Sequence, residues 1–203
     1  MPVRLLPSGQ RAVLAEVADA DAAHGLAQHL HHLADARIQE VVPGARTVLV
    51  VVVDPADLAD IAQLIRSTSS RGPAPGASAL VDIEVDYDGA DLAGVARLAG
   101  LSTDEVIERH CQAHYTVEFI GFAPGFAYLA GLDPALQLPR LDSPRPSVPA
   151  GSVAIAGRYA AVYPRSSPGG WRLLGHTDAV LFDVDADPPV LLQAGTRVRF
   201  SPR

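Results

Sequence analysis

Between residues 10 and 87, apolar positions alternate in some segments and recur at helical spacing in others. Alternation predicts four strands, at 10–17, 37–42, 47–53 and 79–87. Helical spacing predicts two helices, at 19–33 and 56–66, and the Ser, Gly and Pro residues of 67–78 predict a loop. The order β-α-β-β-α-β is that of a ferredoxin-like domain. We therefore expect a four-stranded antiparallel sheet with both helices on one face.

The pattern changes after Tyr87-Asp88-Gly89, which we take as a domain boundary. Two helices are predicted next, at 91–99 and 102–114, and Ser102 with Glu105 predicts a capping box at the start of the second. Short apolar runs broken by Gly and Pro then predict six strands, at 117–122, 152–156, 160–163, 172–174, 179–183 and 197–200. This spacing favours a closed or nearly closed β-barrel. We expect an α+β protein with a ferredoxin-like domain at 1–88 and a β-barrel domain at 89–203.

The composition fits a protein with a hydrophobic core and an acidic surface. Of the 203 residues 48% are hydrophobic, and 23 Asp and Glu against 16 Lys and Arg give a net charge of −7. Nucleic acids and anionic membranes need a basic surface, so neither is an expected partner. The longest apolar run, 48–53, is too short to span a membrane, and no apolar signal segment follows the first residues. We expect a cytoplasmic protein.

The sequence offers few metal-binding or nucleotide-binding motifs. Cys111 is the single cysteine, which excludes an intrachain disulfide and a Cys-based zinc site. His110 and His114 are four residues apart on a predicted helix, but the segment lacks the Glu of a zinc-protease motif. The chain contains no lysine and hence no Walker A motif. We expect no metal site.

The first candidate for chemistry is the segment 119–129. Pro124 presets φ and Gly125 supplies a positive φ, so the two predict a tight turn. This turn would hold Phe122, Phe126 and Tyr128 in a fixed arrangement. The alternative is that these rings only fill one end of the barrel.

The second candidate is the small-residue segment 147–157, which contains Pro149, Ala150, Gly151 and Ser152. Small residues let the backbone approach a ligand or a partner closely. Arg140 and Arg145 flank the segment, and an Arg fork suits a carboxylate or a phosphate. The alternative is that both arginines are solvated surface residues.

The third candidate runs from Tyr163 to Thr177. Its Ser167-Pro168-Gly169-Gly170 sequence is expected to expose successive backbone N–H groups as an anion nest, next to Trp171, the single tryptophan. His176 precedes Thr177 in a Gly-rich context and suits proton transfer or hydrogen bonding to a substrate carbonyl. The alternative is a purely structural histidine.

Taken together, four segments resemble the KipI family, whose members are also called B-type subunits of 5-oxoprolinase or allophanate hydrolase subunit 1. They are GFAPGFAYL at 121–129, Pro139-Arg140, SVPAGSVAIAG at 147–157 and YPRSSPGGWRLLGHT at 163–177. The resemblance extends loosely over nearly the whole chain. One departure is the segment 87–92, where relatives often carry a longer Gly-rich loop.

The resemblance implies a ferredoxin-like domain followed by a cyclophilin-like β-barrel. It also implies two partners, one homologous and KipA-like and the other LamB/YcsF-like. Together with this chain they would convert 5-oxo-L-proline to L-glutamate with hydrolysis of ATP. ATP would belong to the complex, and no tightly bound cofactor is expected in this chain.

The resemblance and the chemistry of its segments give the site candidates. His176, Arg145 and Thr177 are the catalytic candidates, and we expect Arg145, the Ser167–Gly170 nest and His176 to face a cleft shared with the KipA-like partner. The candidates for substrate or ATP binding are Pro124, Gly125, Phe126, Tyr128, Pro149, Ala150, Gly151, Ser152, Ser167, Gly169, Gly170 and Trp171.

Two other functions stay open on the sequence alone. The first is a regulatory inhibitor of a sensor histidine kinase, which would need an exposed apolar patch on the barrel. The second is the carboxyltransferase lobe of a urea carboxylase or allophanate hydrolase system. That lobe would need a separate biotin carrier, because the chain has no Met-Lys pair.

Overall fold

The computed structural model describes residues 3–68 and 79–203, so the loop predicted at 67–78 lies outside the described residues from position 69 onward. The chain divides into two compact units, Met1–Gly76 and Ala77–Arg203. The division falls earlier than the boundary expected at 88. Within the described ranges, no helix has both the length and the apolar character that crossing a membrane requires.

The described part of the first unit contains four strands and two helices. They are β1 (Arg4–Pro7), β2 (Ala12–Glu16), α1 (Ala20–Leu33), β3 (Ile38–Pro43), β4 (Thr47–Val52) and α2 (Leu58–Ser67), with a 3-10 turn at Pro55–Asp57 before α2. The sheet is antiparallel with strand order β1-β2-β4-β3. Both predicted helices and the predicted β3–β4 hairpin are confirmed.

Helix α1 shows why the sequence pattern located these elements correctly. Asp19 caps the helix, since its carboxylate accepts a hydrogen bond of 2.9 Å from the backbone N–H of Ala22. The apolar face of α1 buries Leu26 and Leu30 in one cluster with Val48 and Val50 of β4. Alternation on the strand and helical spacing on α1 thus both mark the sides that face this core.

The ferredoxin-like prediction is wrong in its last strand. The segment expected as the fourth strand forms β5 (Leu80–Val85), which pairs in parallel with a strand of the second unit. Strand β1 occupies the edge position beside β2 instead, so the first unit has the order β-β-α-β-β-α. Alternation identified β5 as a strand but carries no information on which sheet it joins, and β1 is too short to give a clear pattern.

The second unit, described from residue 79 onward, is built around a seven-stranded sheet and contains two α-helices. After β5 come α3 (Leu92–Ala99), α4 (Thr103–Gln112), β6 (Tyr115–Ile120), β7 (Ala127–Ala130), β8 (Arg145–Val148), β9 (Ser152–Ala156), β10 (Tyr159–Val162), β11 (Ser167–Gly169), β12 (Arg172–His176) and β13 (Arg197–Pro202). The strand order is β12-β9-β10-β7-β6-β13-β5, and β8 and β11 form a separate two-stranded sheet. The capping box of α4 is present as predicted, with Ser102 and Glu105 bonded reciprocally.

The two edges of the seven-stranded sheet meet at one point. Asp86, directly after β5, and His176, at the end of β12, exchange two backbone hydrogen bonds of 2.9 Å each. The backbone N–H groups of Gly89 and Asp91 donate to the carbonyl oxygens of Leu174 and Leu173, each at 3.0 Å. The sheet is therefore a nearly closed barrel, and the barrel prediction is confirmed at that level.

Strand β9 is buried on both sides, which defines two layers of packing. Val153 and Ile155 belong to the main core, together with residues of β5, β6 and β13. Ala154 and Ala156 point the other way and pack in a second cluster with Phe126 and other rings, together with Val148 of β8. The small side chains of β9 on this side leave room for those rings.

The strand predictions of the second half are corrected at several points. Residues 179–183 form no strand and contribute only a single bridge between Phe182 and Val190. Strands β7, β8 and β11 were not predicted. They have three or four residues each, and β8 and β11 contain Pro or Gly, so none of them shows a clear alternating pattern.

Candidate functional site on the barrel-like sheet

The predicted turn at Pro124-Gly125 is present. The backbone N–H of Phe126 donates to the carbonyl oxygen of Ala123 at 3.0 Å, and Gly125 has a φ of +76°. A Cβ atom on Gly125 would lie 2.7 Å from the Cβ of Phe182, so packing as well as backbone conformation requires glycine here. The turn thus rests against the segment that follows β12.

The aromatic residues around this turn differ in exposure. Phe126 and Trp171 are 1% and 5% exposed, with ring centroids 5.5 Å apart, and Tyr128 contacts both rings. For Phe126 and Trp171 the structure therefore matches the alternative in which the rings fill the protein. Phe122 differs, because it is 62% exposed and has a φ of +71°, a conformation that costs free energy for a residue with a side chain.

The second candidate segment lies next to the end of β12. Gly151 has a φ of +79°, and its carbonyl oxygen accepts a hydrogen bond of 2.9 Å from the N–H of Thr177. A Cβ atom on Gly151 would overlap the carbonyl oxygen of Thr177. Ser152 pairs with His176 in the ladder between β9 and β12. The structure therefore brings Gly151, Ser152, Thr177 and His176 together.

The exposure of these residues separates those that can meet a ligand from those that cannot. Pro149 and Ala150 are exposed at the tip of the turn, whereas Ser152 and Thr177 are buried. His176 is the accessible titratable group here, with 48% of its side chain exposed.

Three carboxylates surround the imidazole of His176. Nδ1 lies 3.0 Å from Oδ1 of Asp88, Nε2 lies 3.6 Å from Oδ2 of Asp86, and Asp178 lies nearby. The hydrogen bond to Asp88, followed by the charges of Asp88, Asp86 and Asp178, raises the pKa of His176 above its usual value. The sequence interpretation missed these acids, because only the closing of the sheet brings residues 86 and 88 to residue 176.

Arg203 occupies part of the same acidic cluster. Its guanidinium donates to Oδ2 of Asp86 at 3.1 Å and to Oδ2 of Asp178 at 2.8 Å. Two of the three carboxylates near His176 are thus paired with a permanent cation. Asp88 has 66% of its side chain exposed and bonds to the histidine.

Arg145 lies at a different place and is engaged within the protein. Its Nη2 donates to Oδ1 of Asp91 at 2.8 Å, and its Nη1 donates to the carbonyl oxygen of Trp171 at 3.4 Å. The second oxygen of Asp91 accepts from the N–H of Leu173 at 2.7 Å. The fork of Arg145 therefore ties β8 to the start of α3 and to β12. Arg140 is exposed, 5.9 Å above the Trp171 ring.

The anion nest predicted at 167–170 does not form. Residues Ser167–Gly169 are extended and pair with β8, Ser167 opposite Val148 and Gly169 opposite Arg145. A nest needs alternating right- and left-handed backbone, and neither Gly169 nor Gly170 has a positive φ. Gly169 is instead required by packing, because a Cβ atom there would overlap the hydroxyl of Tyr163.

The candidate residues thus form two groups at opposite ends of β12. One group contains His176 and Thr177 with the turn at Gly151, and the other contains Arg145 and Trp171. Strand β12 separates the two ends by about 13 Å, at roughly 3.3 Å per residue. The structure therefore does not bring Arg145 and the 167–170 segment to His176.

His110, in helix α4, is fully buried. Its Nδ1 lies 2.7 Å from the hydroxyl of Tyr87, and its ring packs 4.6 Å from the ring of Phe200. Its Nε2 is buried and has no hydrogen-bond partner among residues 3–68 and 79–203. Burial lowers the pKa of His110 to about 3. Cys111 lies 3.2 Å from the same tyrosine hydroxyl, and burial raises the pKa of its thiol. His110 is therefore neutral in the folded protein, and its role is to pack in the core.

The sequence matches the family described as carboxyltransferase domain, subdomain C and D, over residues 3–192. It is 43% identical over 171 residues to the B-type subunit of 5-oxoprolinase from Escherichia coli O157:H7, in a match that covers 82% of this chain and 78% of that protein. It is 49% identical over 124 residues to the B-type subunit of 5-oxoprolinase from Bacillus subtilis strain 168, in a match that covers 60% of this chain and 52% of that protein. The aligned part is thus about half of the second relative.

Two solved structures resemble this one. The structure of TTHA0988 matches 95% of this chain with a TM-score of 0.85 and 35% identity, and the match covers 40% of that chain. The urea amidolyase of Kluyveromyces lactis matches the whole of this chain with a TM-score of 0.77 and 19% identity, covering 16% of that protein. At 19% identity the second likeness concerns the fold alone.

Proposed function

Because this chain belongs to the carboxyltransferase domain family, subdomain C and D, we propose that it is the B-type subunit of an ATP-dependent 5-oxoprolinase. In this proposal it acts with a homologous, KipA-like partner and a LamB/YcsF-like partner to convert 5-oxo-L-proline to L-glutamate, and it is inactive alone. The observation that carries the proposal is the 43% identity to a B-type 5-oxoprolinase subunit over 82% of this chain.

The chemistry explains why such a complex would use ATP. A lactam is a poor electrophile at neutral pH, and phosphorylation of its amide oxygen would make the carbonyl carbon reactive. The protein then has to orient the substrate and stabilise the developing charge. In this chain the accessible group suited to that task is His176 beside the turn at Gly151.

The residues predicted from the sequence to bind phosphate do not fit that role. Arg145 is bonded to Asp91 and to the carbonyl oxygen of Trp171, and Ser167–Gly169 is a paired strand. We therefore assign Arg145 to positioning β12 rather than to contact with ATP. ATP binding belongs, in this proposal, to the assembled complex.

We further propose that the exposed turn at Phe122 and the exposed surface at His176 are each covered by another polypeptide of the complex. The ring of Phe122 packs edge-on against Phe126, with centroids 5.2 Å apart, yet it stays 62% exposed on a backbone with a φ of +71°, which is a costly arrangement for a side chain left mostly in solvent. The turn at Pro149 and Ala150 is exposed as well. The likeness to urea amidolyase bears on the fold and adds no support for carboxyl transfer.

The test is reconstitution. The chain is co-expressed with candidate KipA-like and LamB/YcsF-like partners, and formation of glutamate from 5-oxoproline is measured with and without ATP. Activity that requires ATP and all three components supports the proposal. A purified ternary complex that forms no glutamate contradicts it. The variant His176→Ala should lose activity in an intact complex, and full activity would exclude His176 from the chemistry.

A further inference from the structure

Backbone hydrogen bonds fix the position of His176 independently of its side chain. Its N–H and C=O both bond to Asp86 at 2.9 Å, and its position in the ladder is opposite Ser152. The residue that closes the sheet is therefore also the residue that presents the imidazole. Its Cα is fixed by two neighbouring strand ends, so only the side-chain torsions are left to be set.

Asp88 sets those torsions. Its Oδ1 lies 3.0 Å from Nδ1 of His176, and a carboxylate only accepts, so the ring nitrogen is the donor. With Nδ1–H committed to Asp88, Nε2 is the ring atom that remains for a ligand. Asp88 is anchored in turn by its backbone, because its N–H bonds to the carbonyl oxygen of Asp86 at 3.0 Å.

Asp86 does not compete for Nε2. The distance of 3.6 Å from Nε2 to Oδ2 of Asp86 is too long for a hydrogen bond, and the same oxygen accepts from Arg203 at 3.1 Å. Asp178 also bonds to Arg203, at 2.8 Å. Glu84 lies 3.9 Å from the Arg203 guanidinium. The charged groups that face the ring are thus Asp88, which bonds to the histidine, and Asp86 and Asp178, which are both paired with Arg203.

This arrangement favours the protonated ring. An imidazolium satisfies Asp88 through Nδ1 and still carries a proton on Nε2, and the neighbouring negative charges stabilise its positive charge. The pKa of His176 is raised, with the bond to Asp88 as the largest cause, which agrees with the geometry.

We propose that Asp88 is a positioning residue which holds His176 as an imidazolium, so that His176 acts as a hydrogen-bond donor through Nε2 and not as a general base. This inference rests on the proposed oxoprolinase function and specifies the role of its histidine. The acceptor is an oxygen that is negative or becomes so, such as a substrate carboxylate or a polarised lactam carbonyl. A neutral histidine would leave that oxygen without a charged donor.

The first test uses this chain alone and does not depend on activity. The pKa of His176 is measured by NMR titration for the unchanged chain, for Asp88→Asn and for Asp142→Asn, which removes an exposed carboxylate of the same unit. We expect Asp88→Asn to lower the pKa of His176 and Asp142→Asn to leave it in place. An unchanged pKa in Asp88→Asn would overturn the proposal.

The second test uses the reconstituted complex. If the protonated ring is the active form, Asp88→Asn shifts the alkaline limb of the kcat/KM profile to lower pH, and above that limb activity falls tenfold for each unit by which the pKa falls. At low pH the variant should approach the unchanged complex. A shift of the acidic limb instead would identify His176 as a base and refute the donor role. A complex without any oxoprolinase activity would refute the proposed function but leave the titration result valid.

Discussion

Gly175 lies so close to Asp86 that a Cβ atom placed on it would overlap the carbonyl oxygen of Asp86. The same Cβ would lie 3.0 Å from the Cα of Tyr87. A Cβ atom placed on Gly89, which follows β5 at the other edge of the sheet, would likewise overlap backbone atoms of Leu174. The two edges of the sheet thus approach closely at two glycines, and this approach allows Asp86 and His176 to bond.

We therefore expect Gly175→Ala to weaken the closure of the sheet. The two backbone segments have to move apart, which breaks the backbone hydrogen bonds that close the sheet and lowers the free energy of unfolding by about 3 kcal/mol. Urea unfolding measures the loss. Gly94→Ala is the matched control, because Gly94 lies within α3 with its nearest neighbour 3.9 Å away, and alanine there should stabilise by about 0.5 to 1 kcal/mol. Equal effects of the two substitutions would argue against a tight closure.

Sequence pattern locates elements that depend on neighbouring residues, but it does not predict pairings between distant segments. Helix α1 was predicted nearly to the residue, because its cap at Asp19 and its apolar face are local features. The partner of β5 could not be predicted, since Leu80–Val85 alternates equally well for either sheet. In the candidate site, the turn at Gly125 was predicted from Pro-Gly chemistry alone. The bond between Asp88 and His176 was not, because it joins residues 88 positions apart and depends on closure of the sheet.

Arg145 is expected to stabilise the fold through its ion pair with Asp91. Arg145→Ala leaves the carboxylate of Asp91, which is only 13% exposed, without its cation. We expect a loss of about 2 kcal/mol in the free energy of unfolding, because an unpaired carboxylate in a partly buried place is costly. Urea unfolding of this chain alone measures it.

Arg199→Ala is the control for that experiment. Arg199 pairs with Asp82 at 2.6 Å, but both side chains are at least half exposed, so its removal should cost less than about 0.5 kcal/mol. In the double variant Arg145→Ala/Asp91→Asn the loss should be smaller than the sum of the single losses, since neither charge is then left alone. Additive losses would show that the pair is not coupled.

Phe122 should matter for the complex more than for the fold. Its ring is 62% exposed, so Phe122→Ala is expected to change the free energy of unfolding by less than about 1 kcal/mol, while activity of the reconstituted complex falls. Leu98→Ala removes a large side chain of α3 that is 59% exposed and should leave activity unchanged. Loss of activity in both variants, or in neither, would count against a specific role for the 122–126 turn.

His110 makes the stability of this chain depend on pH in a defined direction. The pKa of its imidazole is about 3 in the folded protein, against 6.5 for an ordinary histidine. Below pH 6.5 the unfolded chain therefore protonates this histidine, whereas the folded chain keeps it neutral. The contribution of His110 to the free energy of unfolding is fully present above pH 6.5 and is lost progressively as the pH falls toward 3. The slope for one such proton is at most about 1.4 kcal/mol per pH unit.

The variant His110→Gln tests this dependence, because glutamine does not titrate. It should be less stable than the unchanged chain at pH 7, where it loses the packing against Phe200, yet its stability should decline less steeply between about pH 6.5 and pH 5. Most carboxylates keep their charge in that interval, which isolates the histidine contribution. His114→Gln, at an exposed position four residues further on, is the control and should keep the original slope. If His110→Gln keeps that slope as well, the buried imidazole is not the group that makes the fold acid-sensitive.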